Sequence, residues 1–232
     1  MSNFYSLFGV KTVMLAGLFI LLSLSGCGGP YIYASSEYYT HNLYPERLQN
    51  EGIAFLTPST ITGQEEDKQA LAFIFSEVLA EIRPDIRRVS LPETLSAINK
   101  AGLTEDYMLM YEYYYQTGIF KYDFLRRIGE LTKTRYVAQL KLSGFEQIIN
   151  GRLGLLGFRI LDTRSARIRL FMQIWDTQEG TIAWESELEM NYADDTFSER
   201  NISFREITLK SAKEILAQLP KSSLAMKVDK EK

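Results

Sequence analysis

The sequence predicts an α+β domain, a two-layer sandwich with helices packed on one face of a mixed sheet that includes a three-stranded antiparallel meander. Two observations lead to this class. Between residues 62 and 131 the apolar residues recur at helical spacing, whereas from Arg135 onward they alternate with polar residues along three segments. One helical segment follows them. Helices and strands segregated in this way are typical of two layers around one core.

The first half of this domain begins with a buried strand at residues 52–58. The capping-box pattern at 62–65 predicts a helix whose apolar residues recur every three or four positions. Residues 86–89 are short and β-branched, which favours a second strand. A second capping box at 90–93 begins the next helix, which we expect to end near Lys100.

A third helix is predicted from Thr104 to about Gln116, and it is aromatic on nearly all sides. Its tyrosines are Tyr107, Tyr111, Tyr113, Tyr114 and Tyr115. A helix that is apolar around its circumference is either buried or in contact with a partner. It therefore either packs against the tyrosine-rich segment 27–50 or contacts a partner through Tyr111, Tyr114 and Tyr115. A fourth helix is predicted at 124–131.

The second half of the chain contains the meander and a final helix. Period-two alternation predicts strands at residues 136–143, 168–174 and 182–190. Residues 176–180 form the turn between the last two strands, with Gly180 able to adopt a positive φ. A third capping box at 203–206 begins the last helix, which Pro220 closes.

The N-terminus predicts export and lipid anchoring. Residues 1–26 combine a polar start, an apolar run too short to span a bilayer comfortably, and small residues, which favours a cleaved signal peptide over a transmembrane anchor. The sequence Leu-Ser-Gly-Cys ending at Cys27 resembles the bacterial lipobox. That resemblance implies diacylglycerol on the Cys27 thiol and an acyl chain such as palmitate on its amine. Gly28, where an aspartate would favour the inner membrane, implies an outer-membrane anchor facing the periplasm.

Three segments follow the signal peptide. Residues 27–50 are predicted to be a lipid-anchored, tyrosine-rich tether, 51–219 the globular domain, and 220–232 a charged, disordered tail. The tether contains Tyr31, Tyr33, Tyr38, Tyr39 and Tyr44. These rings either pack back on the domain, which is favoured because part of the tether lies far from the anchor, or lie at the level of the lipid headgroups.

Composition argues against several classes of function. Removal of residues 1–26 takes away Lys11 and no acid, so the formal net charge of −3 becomes −4, which argues against nucleic-acid binding. Cys27 is the single cysteine and excludes an internal disulfide, while His41 is the single histidine and argues against a histidine-rich metal site. No catalytic or cofactor motif is recognisable, so we expect no enzyme activity, no cofactor and no metal. A carboxylate pair that cleaves a glycan is the alternative.

The predicted contact surface is an apolar loop between the first two strands of the meander. Its large apolar residues are Leu153, Leu155, Leu156, Phe158 and Ile160, and three glycines interrupt it. Because loops normally run over the surface, these residues must tuck under the sheet or face a partner or a second copy of the chain.

Arginines surround this loop. We expect Arg152, Arg159 and Arg164 to form a charged rim, which an anionic glycan or lipid headgroup would also fit. An even strand register would instead pair Arg167 and Arg169 with a row of acids: Glu185, Glu187 and Glu189.

One stretch is similar to the amino-terminal domain of TolB and related envelope lipoproteins. The resemblance rests on Leu125, Ile128, Gly129 and Leu131, on residues 134–137 (Thr-Arg-Tyr-Val), and on the hairpin at 169–184. Related proteins include the curli secretion-channel lipoprotein, the outer-membrane activator of a penicillin-binding protein and flagellar lipoproteins. The sequence departs from the pattern at Arg135, where an acid is common, and in the tyrosine-rich helix, which looks like an insertion.

This resemblance implies an envelope domain that binds proteins or oligomerises, and it transfers no catalytic residue. We therefore expect a non-catalytic lipoprotein that binds an envelope protein, or a second copy of itself, in a larger machine. A subunit of an outer-membrane secretion pore is the first alternative. It would need long alternating hairpins, and residues 151–162 look too short and glycine-rich to supply them. A glycan-binding protein is the second alternative.

Overall fold

The computed structural model describes residues 30–155, 158–196 and 201–221, and its side chains are described outside 149–162 and 195–196. Six helices lie in these ranges: α1 (Pro45–Glu51), α2 (Glu65–Ile82), α3 (Leu91–Lys100), α4 (Thr104–Thr117), α5 (Tyr122–Thr132) and α6 (Phe204–Ala217). The strands are β1 (Tyr31–Thr40), β2 (Ile53–Phe55), β3 (Ser59–Thr60), β4 (Arg88–Val89), β5 (Tyr136–Leu155), β6 (Phe158–Asp176) and β7 (Thr181–Thr196). None of the helices described is long and apolar enough to cross a bilayer.

All seven strands form one mixed sheet in the order β1-β7-β6-β5-β2-β4, with β3 pairing beside β2 on β5. Strands β5, β6 and β7 are the antiparallel meander, whereas β2 pairs in parallel with both β4 and β5. The α+β class, the mixed sheet and the meander are therefore confirmed.

One face of the sheet, the closed face, is covered by α2 and α6. Its core includes the fully buried Trp184, Tyr136, Phe55 and Phe75. Along the meander, alternate residues point into this core, as strand geometry requires. Over this part of the sheet, the predicted arrangement of helices on one face holds.

The opposite face is called the open face. Helices of the described chain cover it only near the edge of the sheet that contains β2. There α4 and α5 contribute Met110, Leu125 and Ile128 to a second cluster with Val137 and Trp175 of the sheet. The short strand β2 is thus buried on both sides, which is usual for a parallel strand. The remainder of the open face, over the meander, carries no helix of the described chain.

Two of the three predicted capping boxes have side-chain caps. The Ser90 hydroxyl and amide donate to Glu93 Oε2 at 2.6 and 2.8 Å, and these two hydrogen bonds lower the pKa of the Glu93 carboxyl. Ser203 Oγ accepts from the Glu206 amide at 3.2 Å at the start of α6. The predicted box at 62–65 is wrong, because α2 begins two residues later, with Gln64 in place of Thr62 as its N-cap.

The predicted tether is also wrong from Tyr31 onward. Residues 31–40 form β1, which pairs antiparallel with β7, and residues 45–51 form α1. The tyrosines of this segment do not pack back on the domain, since Tyr31, Tyr33, Tyr38, Tyr39 and Tyr44 are all more than half exposed. Backbone pairing with β7 and the burial of Leu43 and Leu48, and not buried tyrosine rings, hold the segment in place.

The predicted apolar loop at 153–160 is a third correction. Strand β5 runs to Leu155 and β6 starts at Phe158, and Gly154 pairs with Arg159 near the end of this long hairpin. The meander therefore extends beyond the part of the sheet that helices cover. The strands of the hairpin have 20 and 19 residues, so the expectation that this region is too short for a long hairpin is wrong.

A β-bulge changes one predicted face. Ile174 pairs with Trp184 and Trp175 pairs with Ile182, so Ala183 is an extra residue in β7. As a result Trp184 lies in the closed-face core while Ile182 packs against the second cluster. Strict alternation would place these two residues on the same face.

Candidate functional site

Helix α4 is the element around which the candidate site is built. It begins after Leu103 with Glu105 and Asp106 in its first turn, where negative charge interacts favourably with the helix dipole. Gly118 ends it in a left-handed conformation at φ 73°, and its amide donates to the Tyr114 carbonyl. The predicted bounds, 104 to about 116, agree with the structure.

Hydrogen bonds attach the buried side of α4 to the sheet. The Tyr111 hydroxyl lies 2.7 Å from the Thr57 carbonyl oxygen and 2.9 Å from Gln139 Oε1. The Tyr107 hydroxyl accepts from the Thr57 amide at 3.0 Å. Burial raises the pKa of Tyr107 and raises that of Tyr111 well above its usual value. These hydroxyls therefore stay protonated and act as structural hydrogen-bonding groups.

Aromatic packing adds to this attachment. Phe120 stacks on Tyr114 with ring centroids 4.1 Å apart and meets Trp175 edge-on at 5.3 Å. Tyr111 contacts the same phenylalanine edge-on at 5.8 Å. Such pairs contribute about 0.5–1.5 kcal/mol each beyond the burial of their surface. The inner side of α4 is consequently held in one place.

The outer side of α4 remains in solvent and carries large apolar side chains beside the polar Glu105, Glu112 and Gln116. We call the following residues the α4 stripe; their exposed fractions range from 38% to 63%: Met108, Leu109, Tyr113, Tyr115 and Ile119. Lys121 Nζ lies 4.9 Å from the centre of the Tyr113 ring. Large apolar side chains exposed together on one helix of a folded domain indicate a contact site.

A groove of about 350 Å³ adjoins the helix on the open face of the meander. Tyr114 closes it at the helix side, and the strands supply Tyr39, Lys141, Phe171, Gln173, Glu185 and Glu187. The Tyr114 hydroxyl donates to Gln173 Oε1 at 3.2 Å, and Gln173 Nε2 donates to Glu185 at 3.3 Å. The groove thus combines aromatic rings with amide and carboxylate groups.

The structure separates the three tyrosines predicted to contact a partner. Tyr111 is buried and holds the helix, so its prediction as a contact residue is wrong. Tyr114 is half-buried between the helix and the groove, and Tyr115 is exposed. The sequence pattern did not single out Met108, Leu109 or the strand residues of the groove. The apolar composition of α4 shows no helical period, so the sequence could not distinguish its two sides.

Among the described side chains, Arg164, Arg167 and Arg169 each have a different partner. Arg169 Nε donates to Glu187 Oε1 at 2.8 Å, and Arg167 Nε lies 3.5 Å from Glu189 Oε1. The predicted pairing of these two arginines with the acids of β7 is confirmed. Arg164 is buried and donates to Asn201, so its prediction as part of a free charged rim is wrong.

Arg135, the departure from the family pattern, has a structural role. Its Nε donates to the buried Asp176 at 2.8 Å, and its guanidinium also reaches Glu179 at 3.0 Å and Glu51 at 3.5 Å. Burial disfavours the charged guanidinium, but the hydrogen bond and charge of Asp176 outweigh this and raise the pKa of Arg135. A buried carboxylate needs such a partner.

Several predicted residues fall where no side chain is described. The backbone of Arg152, Leu153, Leu155, Phe158, Arg159 and Ile160 lies in the long hairpin, while Leu156 and Cys27 lie outside the described residues. Their predicted contacts and the lipidation of Cys27 stay predictions. Among the described residues, no group of three His, Cys, Asp or Glu side chains is placed to hold a metal ion.

The chain was compared with known proteins. No protein-family model and no curated protein matches it. Solved structures with a similar fold include the PelC dodecamer from Paraburkholderia phytofirmans, at 10% identity and a TM-score of 0.45, covering 82% of this chain and 100% of that one. They also include lipoprotein GNA1162 from Neisseria meningitidis, at 10% identity and a TM-score of 0.37, covering 72% and 97%.

A third is the LpoB C-terminal domain from Salmonella enterica, at 16% identity and a TM-score of 0.33, covering 59% of this chain and 80% of that one. Identities and TM-scores at this level do not establish a common family or function. The predicted resemblance to TolB-type envelope domains therefore remains a prediction. The chain is assigned to no family.

Proposed function

We propose that this chain is a non-catalytic lipoprotein of the cell envelope that binds a protein partner through the α4 stripe. One observation supports the proposal above the others: α4 is bonded to the sheet on one side while five large apolar side chains on and beside its other side remain exposed. An apolar stripe on a fixed helix is a common surface for protein recognition.

The rigidity of α4 matters for this function. A partner that docks on an ordered helix does not have to order it, so less of the interaction energy is lost to conformational entropy. The groove adjoins the stripe at Tyr114 and offers Gln173 and Glu185 as polar contacts at its rim. Apolar anchors beside polar groups are the usual composition of a specific interface.

Anchoring in the envelope is the second part of the proposal, and the lipobox at Cys27 supports it. We expect Cys27→Ser to leave an uncut, unlipidated precursor, because only a thiol accepts the diacylglycerol. Metabolic labelling with palmitate and the intact mass measure this directly. Maturation and outer-membrane fractionation of the Cys27→Ser protein would contradict the lipobox interpretation.

Photo-crosslinking in intact cells tests the docking surface. A photoreactive amino acid at Leu109 should yield a discrete adduct whose partner mass spectrometry identifies. Phe73 on α2 is the matched control, since it is a large apolar residue of similar exposure, 55% against 52%, on the opposite side of the sheet. Equal adducts at both positions, or none at Leu109, would contradict the proposal.

A second candidate is a subunit of an oligomeric assembly, and the length of the β5–β6 hairpin favours it. Strands of 20 and 19 residues extend beyond the helices and offer a surface for a neighbouring copy. Size-exclusion chromatography with light scattering on the detergent-extracted protein separates the candidates. A large discrete ring supports the oligomer, and a monomer supports the docking protein.

A further inference from the structure

Strand β1 begins with three consecutive apolar residues that nothing in the described structure covers. Tyr31, Ile32 and Tyr33 are 66%, 46% and 55% exposed, although successive residues of a strand point to opposite faces. Among the described strands, β1 pairs only with β7, so its outer edge is free. The start of β1 therefore presents apolar surface on both of its faces.

The position of this surface relative to the anchor follows from the chain length. With residues 31–40 in a strand, only residues 28–30 separate Cys27 from Tyr31. A fully extended chain spans about 3.3–3.6 Å per residue, so Tyr31 lies within about 14 Å of Cys27. If Cys27 carries lipid, as the proposed function holds, the start of β1 is restricted to the bilayer surface.

The register places the long hairpin at the same end of the sheet. Tyr31 pairs with Ala193, Ala193 with Ser165, and Ser165 with Ile148, so these four residues lie at one level. Beyond Ile148, β5 continues to Leu155, a further distance of about 20 Å along the strand. The β6–β7 turn, with Gln178, is at the other end of the sheet.

We propose that Tyr31, Ile32 and Tyr33 lie in the lipid headgroup region of the membrane and orient the domain on it. This inference rests on the proposed lipid anchor. Tyrosine favours this region because its ring meets the acyl boundary while its hydroxyl stays hydrated. The free strand edge also suits this depth, since headgroups and water can satisfy its amides and carbonyls, whereas the hydrocarbon core cannot.

This orientation leaves the docking surface accessible. The α4 helix contacts Gln139 and Gln173, which pair with each other. This pair lies toward the end of the strands that is opposite to Tyr31. Tyr122 at the start of α5 lies farther along, with its hydroxyl donating to the Gln178 carbonyl at 3.0 Å. A bilayer at the start of β1 would therefore not cover the α4 stripe.

Site-directed spin labelling of the full lipidated chain tests this placement. Cys27 is the only cysteine, so once its thiol is lipidated, a cysteine introduced elsewhere is the sole reactive thiol. Tyr33→Cys is the test variant, and Tyr122→Cys is its matched control at the opposite end, with 55% and 47% exposure. Each protein is labelled with a nitroxide in vesicles of phosphatidylethanolamine and phosphatidylglycerol. The measurement is accessibility to oxygen and to a water-soluble nickel chelate.

We expect the ratio of oxygen accessibility to nickel accessibility at position 33 to be at least about three times the ratio at position 122. The reason is that oxygen partitions toward lipid and the chelate does not. Equal ratios on protein whose intact mass shows lipidated Cys27 would overturn the membrane placement but leave the proposed function intact. A mass without lipid would overturn the anchor and the placement together. Shielding of position 33 from both reagents, with a doubled particle mass, would show instead that a second copy pairs along β1.

Discussion

The closed and open faces of the sheet are made by the same strands and differ in what covers them. On β6, Leu170 is buried beneath the helices of the closed face, while the next residue, Phe171, lines the groove of the open face. The closed face buries the larger core and therefore carries most of the stability. The open face keeps aromatic, amide and carboxylate groups in solvent, where a partner can reach them.

Truncation of these two neighbours should give the largest difference. We expect Leu170→Ala to lower the free energy of unfolding by about 2–5 kcal/mol, because it leaves a cavity in a packed core. Phe171→Ala should lower the free energy of unfolding by about 0.5 kcal/mol, because the ring is partly in solvent and its removal leaves no cavity in a core. Thermal or urea unfolding followed by circular dichroism measures both. Similar losses for both variants would show that the open face is also core.

Two glycines, Gly129 and Gly144, test how tightly α5 packs on the covered part of the open face. A Cβ at Gly129 of α5 would lie 2.3 Å from Thr177 Oγ1 and 3.0 Å from the Thr134 carbonyl oxygen, so Gly129→Ala should cost about 1–3 kcal/mol. Gly144 in β5 is the control, because an added Cβ there has its nearest neighbour at 3.7 Å. We expect Gly144→Ala to change stability by at most about 0.5 kcal/mol. An unchanged melting temperature for Gly129→Ala would show that α5 can move off the sheet.

Two buried tyrosines, one on each side of the sheet, give the smallest expected effects. Tyr111→Phe should cost about 1–2 kcal/mol, since it removes a hydroxyl bonded to Thr57 and Gln139 beneath α4. The Tyr136 hydroxyl lies in the closed-face core with no hydrogen-bond partner among the described residues, and burial raises its pKa to about 12. Tyr136→Phe should therefore be neutral or slightly stabilising. Chemical denaturation of the two variants distinguishes them, and an equal loss would mean that Tyr136 has a polar partner.

Much of the fold could be predicted because local patterns were strong. Helical spacing located α2 and α6, the capping box at Ser90 located the start of α3, and alternation located the meander. The pairing of Arg169 with the acids of β7 also followed from alternation, because a register shift by one residue would have moved every side chain to the other face.

The candidate site was less predictable. Alternation and helical spacing report which side of an element is buried, but α4 carries large apolar residues on both its buried and its exposed side, and β1 is exposed on both faces. Neither pattern therefore says which residues meet solvent. The hairpin end at 151–160 was predicted as a loop because its glycines and consecutive apolar residues conceal the pairing of β5 with β6.

The sequence by itself determined the α+β class and the order of the principal helices and strands. These depend on residue type and local spacing. Only the tertiary structure decided that residues 31–40 add an edge strand to β7, that α4 turns Tyr111 inward and Leu109 outward, and that Arg164 meets Asn201. Each of these depends on contacts between residues distant in sequence, which no local pattern encodes.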